Sequence, residues 1–117
     1  MKDYFQDSEL TCKCGCHSII KPPEGLLRLN YTRLSASIPF ILNSATRCKD
    51  HNANAGGSKT SDHLYGEGWD VACDSSRNRF LIVESAIKAG ITRIGIGKEF
   101  VHLGVHNLNP QEVMWLY

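Results

Sequence analysis

The chain has no apolar run near the ~20 residues that a membrane-spanning helix needs. Nor has it a basic cluster: 13 Lys and Arg stand against 12 Asp and Glu, for a net charge of +1. A nucleic-acid partner would want a concentrated basic face, so none is expected. The opening MKDYFQDSEL carries acids and no hydrophobic stretch, which excludes a secretory signal. Synthesis in the cytoplasm is the expectation, with release by other means if the protein acts outside the cell. Repeats, low-complexity runs and long linkers are also missing, so 1–117 is expected to form a single small domain. Hydrophobic residues make up 42% of the chain, which is enough for a real core.

Cysteine is not scarce, but its number and spacing are awkward. Five are present, at 12, 14, 16, 48 and 73. An odd count without a signal sequence does not suggest a disulfide framework. The C-K-C-G-C run lacks the C-x(2–4)-C spacing of a zinc knuckle, and no C-x-x-C partner follows. The cysteines are therefore read as reduced and structural, the alternatives being a second metal site or, after release, a Cys12–Cys48 or Cys14–Cys48 bridge.

Residues 1–22 are polar, Cys- and Gly-rich and end at Pro22-Pro23, a loop-rich lead-in. From Glu24 to about Ser37, Leu27, Tyr31, Leu34 and Ile38 recur at i, i+4, i+7 and i+11, which predicts one face of an amphipathic helix stopped by Pro39. Phe40-Ile41-Leu42 reads as a strand. Residues 44–66 form a long irregular stretch carrying Arg47, His51, Ser61, Asp62 and His63, and a loop that long in a small domain is usually functional. Residues 68–73 read as a strand. Asp74 and Ser75 offer N-caps for a helix over about 76–89, with a Phe80, Val83, Ile87 stripe and Gly90 as C-terminal cap. Strands 92–96 and 100–105 follow, joined by a tight hairpin at Gly97-Lys98, and the Val113–Tyr117 tail adds an edge strand. This order predicts an α+β domain, a mainly antiparallel sheet flanked by helices.

Catalytic zinc sites offer three protein ligands and leave one position to water. His63 ends the glycine-rich loop, Asp70 lies seven residues on in the next strand, and Gly66 and Gly68 between them permit a sharp turn. A third ligand must come from a later strand, where His102 could pair beside Trp69–Val71 and His106 lies four residues on. In an extended strand the two share a face but lie roughly 13 Å apart, so they cannot hold the same ion. Spacing does not choose between them.

The run S-D-H-L-Y-G-E-G-W-D (61–70) resembles the S-x-H-x-x-G-x-A-x-D signature of zinc D-alanyl-D-alanine carboxypeptidases, a family that includes phage endolysins and shares its zinc fold with hedgehog signalling domains. S-A-T-R-C-K-D-H-N-A-N-A-G-G (44–57) is similar to that family's approach to its site, and R-I-G-I-G-K-E-F-V-H-L-G-V (93–105) to its closing strand. The N-terminal F-x-x-x-E-L-x-C-K-C-G-C resembles small phage-type members. The resemblance implies one Zn2+ per chain, held by His63, Asp70 and His102. It implies Arg47 as the holder of a substrate carboxylate, Ser61 as a substrate-positioning residue and Glu99 as the catalytic acid/base three residues before the last ligand. Strict alternation would put Glu99 and His102 on opposite faces, so a bend or bulge between them is expected.

The implied activity is hydrolysis of peptidoglycan stem peptides by a monomeric DD-carboxypeptidase or endopeptidase, phage or prophage encoded and acting at the cell wall or as a virion component. The alternative is a zinc-binding wall or virion module without turnover. Two positions depart from the pattern. Gly68 replaces the usual alanine, a mild change between small residues, and Gly104 replaces the aspartate of H-x-D. If that aspartate orients the zinc histidine, another group must do so here, and His106 is the nearest candidate in sequence.

Overall fold

The structure, a computed structural model, describes residues 2–117. Five strands form one sheet in the order β1-β2-β4-β3-β5: β1 is Leu42–Ser44, β2 Gly68–Ala72, β3 Arg93–Ile96, β4 Phe100–Gly104 and β5 Val113–Leu116. Three pairings are antiparallel and β3–β5 is parallel. Four helices accompany it: α1 Asp7–Leu10, α2 Pro23–Ala36, α3 Lys49–Asn54 and α4 Ser76–Lys88, with a 3-10 turn at Asp62–Tyr65. The expected α+β architecture with a β5 edge strand is therefore present. Among the described residues, no helix is long and apolar enough to cross a membrane.

The period-2 alternation of strands divides the sheet by chemistry. Trp69, Val71, Ile94, Val101 and Leu103 are all 2% exposed or less and join one core with Leu29, Ala36, Ile82 and Ala86 from α2 and α4. At roughly 1.5–3 kcal/mol for each large apolar side chain fully buried, this helix-covered face supplies the stability. The opposite face can therefore be polar, and there β2 and β4 place Asp70 directly opposite His102.

The helices bury a different face from the one their apolar stripes predict. Leu27, Tyr31 and Leu34 are each nearly half exposed, and Phe80 and Ile87 more than half. The buried positions are Gly25, Leu29, Asn30, Thr32 and Ala36 in α2 and Ile82, Ser85 and Ala86 in α4. Gly25, Leu29, Thr32 and Ala36 have the same spacing as the expected stripe, shifted by two residues, which is roughly 200° around a helix. Small side chains win because α2 and α4 pack against each other and the sheet at close range: a Cβ on Gly25 would lie 3.1 Å from the Trp69 ring.

The helix boundaries follow their caps. α2 starts with Pro23 at its first turn and ends at Ser37, which is left-handed (φ 57°), ahead of Pro39. Ser75 Oγ accepts the Asn78 amide at 3.1 Å and starts α4, as expected. The first strand is displaced from 40–42 to 42–44: Phe40 and Ile41 alternate in and out as a strand would, but the pairing with β2 begins only at Leu42, opposite Val71. The 44–66 stretch is less irregular than expected. It holds α3, capped by Cys48 Sγ on the His51 amide, and the 3-10 turn, capped by Ser61 Oγ on the His63 amide. The lead-in likewise contains α1, and it anchors Phe5 and Leu10 in the core.

Candidate metal centre

On the polar face, His63, Asp70 and His102 each offer one donor atom, all within 4.8 Å of one another. All three are buried. Asp70 Oδ1 lies 3.2 Å from His63 Nε2 and 2.9 Å from His102 Nδ1. Each comes from a different device: His63 from the 3-10 turn, Asp70 from β2, His102 from β4. Gly66, left-handed at φ 66°, closes the turn so tightly that a Cβ there would meet Ile20.

The outward nitrogen of each imidazole is also held. His63 Nδ1 sits 2.7 Å from the Ala45 carbonyl oxygen. A carbonyl only accepts, so Nδ1 donates and the Nε2 lone pair faces the shared point. His102 Nε2 lies 2.9 Å from Asp62 Oδ2. An outer carboxylate in this position is the kind that orients a histidine when its other nitrogen holds a metal. The donor set is borderline, with two imidazoles and one carboxylate around one point and a cavity beyond it, and it fits zinc with a position left open.

Asp62 answers the question raised by Gly104. A Cβ on Gly104 would collide with Asp62 Oδ2, and one on Gly68 would lie 2.7 Å from Asp62 Cβ and 3.0 Å from His102 Cε1. The carboxylate missing after His102 is thus supplied from the residue before His63, and both glycines make room for it. Alanine at position 68 would not be the mild change expected from sequence. Arg93 Nε bonds both Asp62 oxygens, at 3.0 and 3.1 Å. His106 does not take this part. Its Nδ1 lies 2.9 Å from Glu67 Oε1 and its ring stacks on Tyr65. The structure brings His102, and not His106, into the cluster.

The electrostatics follow from these contacts. Burial pushes the Asp70 pKa up, but its close contacts with the His102 and His63 rings outweigh this and hold Asp70 well below the usual carboxylate range. Burial likewise works against Asp62, yet His102 and Arg93 bring its pKa down. For His102 burial lowers the pKa, and the Asp62 and Asp70 carboxylates reverse this and raise it.

A cavity of about 590 Å³ opens over the cluster. Arg47 and Ser61 line it, as does an aromatic wall of Phe100, Trp115 and Tyr117. Arg47 Nε donates to Ser44 Oγ at 2.9 Å, Nη1 to Asn52 Oδ1 at 3.4 Å and Nη2 to Asp70 Oδ2 at 3.3 Å. Its backbone amide donates to the His63 carbonyl at 3.0 Å, which couples the two residues. Ser61 is both a cavity residue and the cap of the turn that carries His63. Glu99 is not in the cavity lining. It lies exposed in the Lys98-Glu99 turn between β3 and β4, flanked by a 2.9 Å hydrogen bond from the Gly97 amide to the Phe100 carbonyl. β4 pairs with β2 without a register break from Phe100 to Gly104, so any bend between Glu99 and His102 is confined to that turn.

Sequence reasoning missed Asp62 and Arg93 as site residues and the Trp115 and Tyr117 wall. Only Asp62 left a trace, an acid directly before His63 in a chain whose H-x-D aspartate is absent. No curated protein matches the chain significantly. A family described as Peptidase M15 matches residues 3–104, a span that holds all three cluster residues, Arg47, Ser61, Asp62 and Arg93 and stops short of β5. With that match covering most of its length and the whole donor cluster, the chain belongs to the Peptidase M15 family.

Proposed function

We propose that the protein is a zinc peptidase that hydrolyses peptide bonds in bacterial peptidoglycan stem peptides. The observation that carries this reading is the convergence of His63 Nε2, Asp70 Oδ1 and His102 Nδ1 on one point, with both outer ring nitrogens already held by Ala45 and Asp62. Family membership supports the peptidase class, and the resemblance of residues 61–70 to zinc D-alanyl-D-alanine carboxypeptidases supports the substrate class.

When bound, zinc would polarise a carbonyl and lower the pKa of a coordinated water towards ~7. The protein's own residues do the rest. His63, Asp70 and His102 would hold the ion. Asp62 and Arg93 keep His102 in one ring orientation. Arg47, fixed by Ser44 and Asn52 at the cavity wall, would receive a substrate carboxylate on its planar fork, as a terminal D-alanine requires. Ser61, which lines the same cavity, would help position that substrate. Phe100, Trp115 and Tyr117 would offer the substrate an apolar wall. Glu99 would take a proton from the attacking water and return it to the leaving amine.

One observation favours a second reading, a zinc-binding module at a wall or virion without turnover: Glu99 is exposed and outside the cavity lining. Digestion of purified stem peptides, followed by mass spectrometry, separates the two. The peptidase reading expects peptide-bond cleavage by the zinc-loaded wild type, and a loss of ~10²–10⁴-fold in Glu99→Gln with zinc retained. Zinc-loaded wild type that leaves every stem peptide intact would support the non-catalytic module. Full activity in Glu99→Gln would move the acid/base role to another residue.

A further inference from the structure

Far from the His/Asp cluster in chemistry, four sulfurs come together in the lead-in. The Sγ atoms of Cys12, Cys14, Cys16 and Cys48 all lie within 4.8 Å of one another, and none is disulfide-bonded. Cys12 and Cys14 are 3.5 Å apart, and Cys14 and Cys48 are 3.6 Å apart. A tetrahedral tetrathiolate zinc site, with Zn–S near 2.3 Å, has sulfur–sulfur edges of roughly 3.8 Å. In an extended chain Cys12 and Cys16 would be roughly 13 Å apart. The Lys13–Cys16 turn, with left-handed Gly15 (φ 92°) and His17 (φ 64°) in and beside it, folds them together.

The surroundings suit thiolates. Backbone amides donate to three of the four sulfurs, each at 3.4 Å: Cys48 to Cys12, His51 to Cys48 and Ser18 to Cys16. His51 Nδ1 lies 3.2 Å from Cys12 Sγ. Amide donors aimed at sulfur stabilise the anionic form that binds metal and orient it, as outer contacts do at a metal site. Thiols with only a packing role would not gather four to a point, with Cys14 and Cys16 exposed.

We propose that Cys12, Cys14, Cys16 and Cys48 hold a second, structural zinc ion, closed by four sulfur ligands and separate from the His63, Asp70 and His102 centre. Three ligands come from the Lys13–Cys16 turn and the residue before it, and the fourth from the start of α3, so the ion clamps the lead-in to the segment that follows Arg47. The clamp reinforces weaker ties already there, from the Thr46 amide to the Leu10 carbonyl (3.2 Å) and from the Ile20 amide to Thr46 Oγ1 (3.0 Å). Because the two sites share no ligand, this inference stands whether or not the protein is a peptidase.

The test is metal analysis of full-length protein purified under reducing conditions with zinc, joined to cobalt substitution. Wild type should hold about two zinc ions per chain, one of each kind. Cys14→Ser and Cys16→Ser replace exposed side chains that contribute little packing, and each should lose one equivalent. Asp70→Asn should lose the other. Cobalt-loaded Asp70→Asn should keep the sulfur-to-metal charge-transfer band, and the Cys14→Ser/Cys16→Ser double variant should lack it. His51→Ala should retain both ions. The proposal is overturned if cobalt-loaded wild type shows no thiolate band, if zinc content is unchanged in the double variant, or if thiol titration of the purified protein finds the four sulfurs paired as disulfides. Loss of zinc in Asp70→Asn alone, with no thiolate band anywhere, would leave the peptidase reading intact and remove this one.

Discussion

Two donor clusters sit in this small protein, and they are built in opposite ways. His63, Asp70 and His102 are buried, two of them on paired strands, and together they offer three donors towards an open cavity. Cys12, Cys14, Cys16 and Cys48 lie in and beside a turn and at a helix start, two of them exposed, and offer four donors to one point. An open three-donor centre leaves room for substrate, whereas a closed four-donor centre only holds chain together. Rigid strands suit the first, because chemistry tolerates little displacement of its ligands. A turn suits the second, where the metal itself provides the order.

The largest expected effect breaks the comparison at the buried cluster. Asp70→Ala or His102→Ala should abolish peptidoglycan hydrolysis and remove one zinc, read by stem-peptide digestion beside elemental analysis, while His106→Ala keeps the metal. Retained hydrolysis in either ligand variant would contradict the assignment.

Next comes the carboxylate behind His102. Asp62→Asn should weaken zinc binding at the buried site by ~10–100-fold, measured by chelator competition. Gly104→Asp alone should also weaken it, because its side chain collides with Asp62. The double variant Asp62→Ala/Gly104→Asp should recover part of that loss by returning the carboxylate to its other position. Additive losses in the double variant would show that the two positions do not exchange roles.

A smaller effect is expected from pH on the metal-free protein. His102 has a raised pKa because two carboxylates flank it. Its contribution to stability is therefore fully present below the unfolded histidine value of ~6.5 and is lost as pH rises through the higher folded value. Chelator-treated protein should melt at lower temperature above that range, and Asp62→Asn should flatten the dependence. A melting temperature that rises with pH there would contradict the arrangement around His102.

The smallest effect on chemistry is expected at the sulfur cluster. Cys14→Ser should lower the melting temperature by several degrees, roughly 4–8 °C for each ~1 kcal/mol lost in a domain near this size. The zinc-loaded buried cluster should still turn over. Equal losses of activity in Cys14→Ser and Asp70→Ala would erase the distinction between the two centres.

The legible parts of the molecule were those with local signals. α4 announced itself through Ser75 and Gly90, α2 through a helical apolar period ended by Pro39, and the closing hairpin through Gly97-Lys98, one residue ahead of the Lys98-Glu99 turn that forms. The full donor trio was readable only through resemblance, since spacing left His102 and His106 equal and the strand register that separates them is a tertiary fact. α3 and the 3-10 turn are too short for any period to show. The apolar stripes of α2 and α4 misled because close packing of small residues at Gly25, Thr32, Ala36, Ser85 and Ala86 outweighed them. Arg93 reaches the site from β3, and the Trp115 and Tyr117 wall from β5 and the residue after it; β5 pairs with β3 and not with β4, the strand before it in sequence, so no local signal places it there.

The central claim is that His63, Asp70 and His102 hold a catalytic zinc, and anomalous diffraction at the zinc absorption edge from crystals of the zinc-loaded protein tests it most directly. The account predicts a peak bounded by His63 Nε2, Asp70 Oδ1 and His102 Nδ1, about 2.0–2.2 Å from each. Full-occupancy zinc elsewhere with none at this point would contradict it.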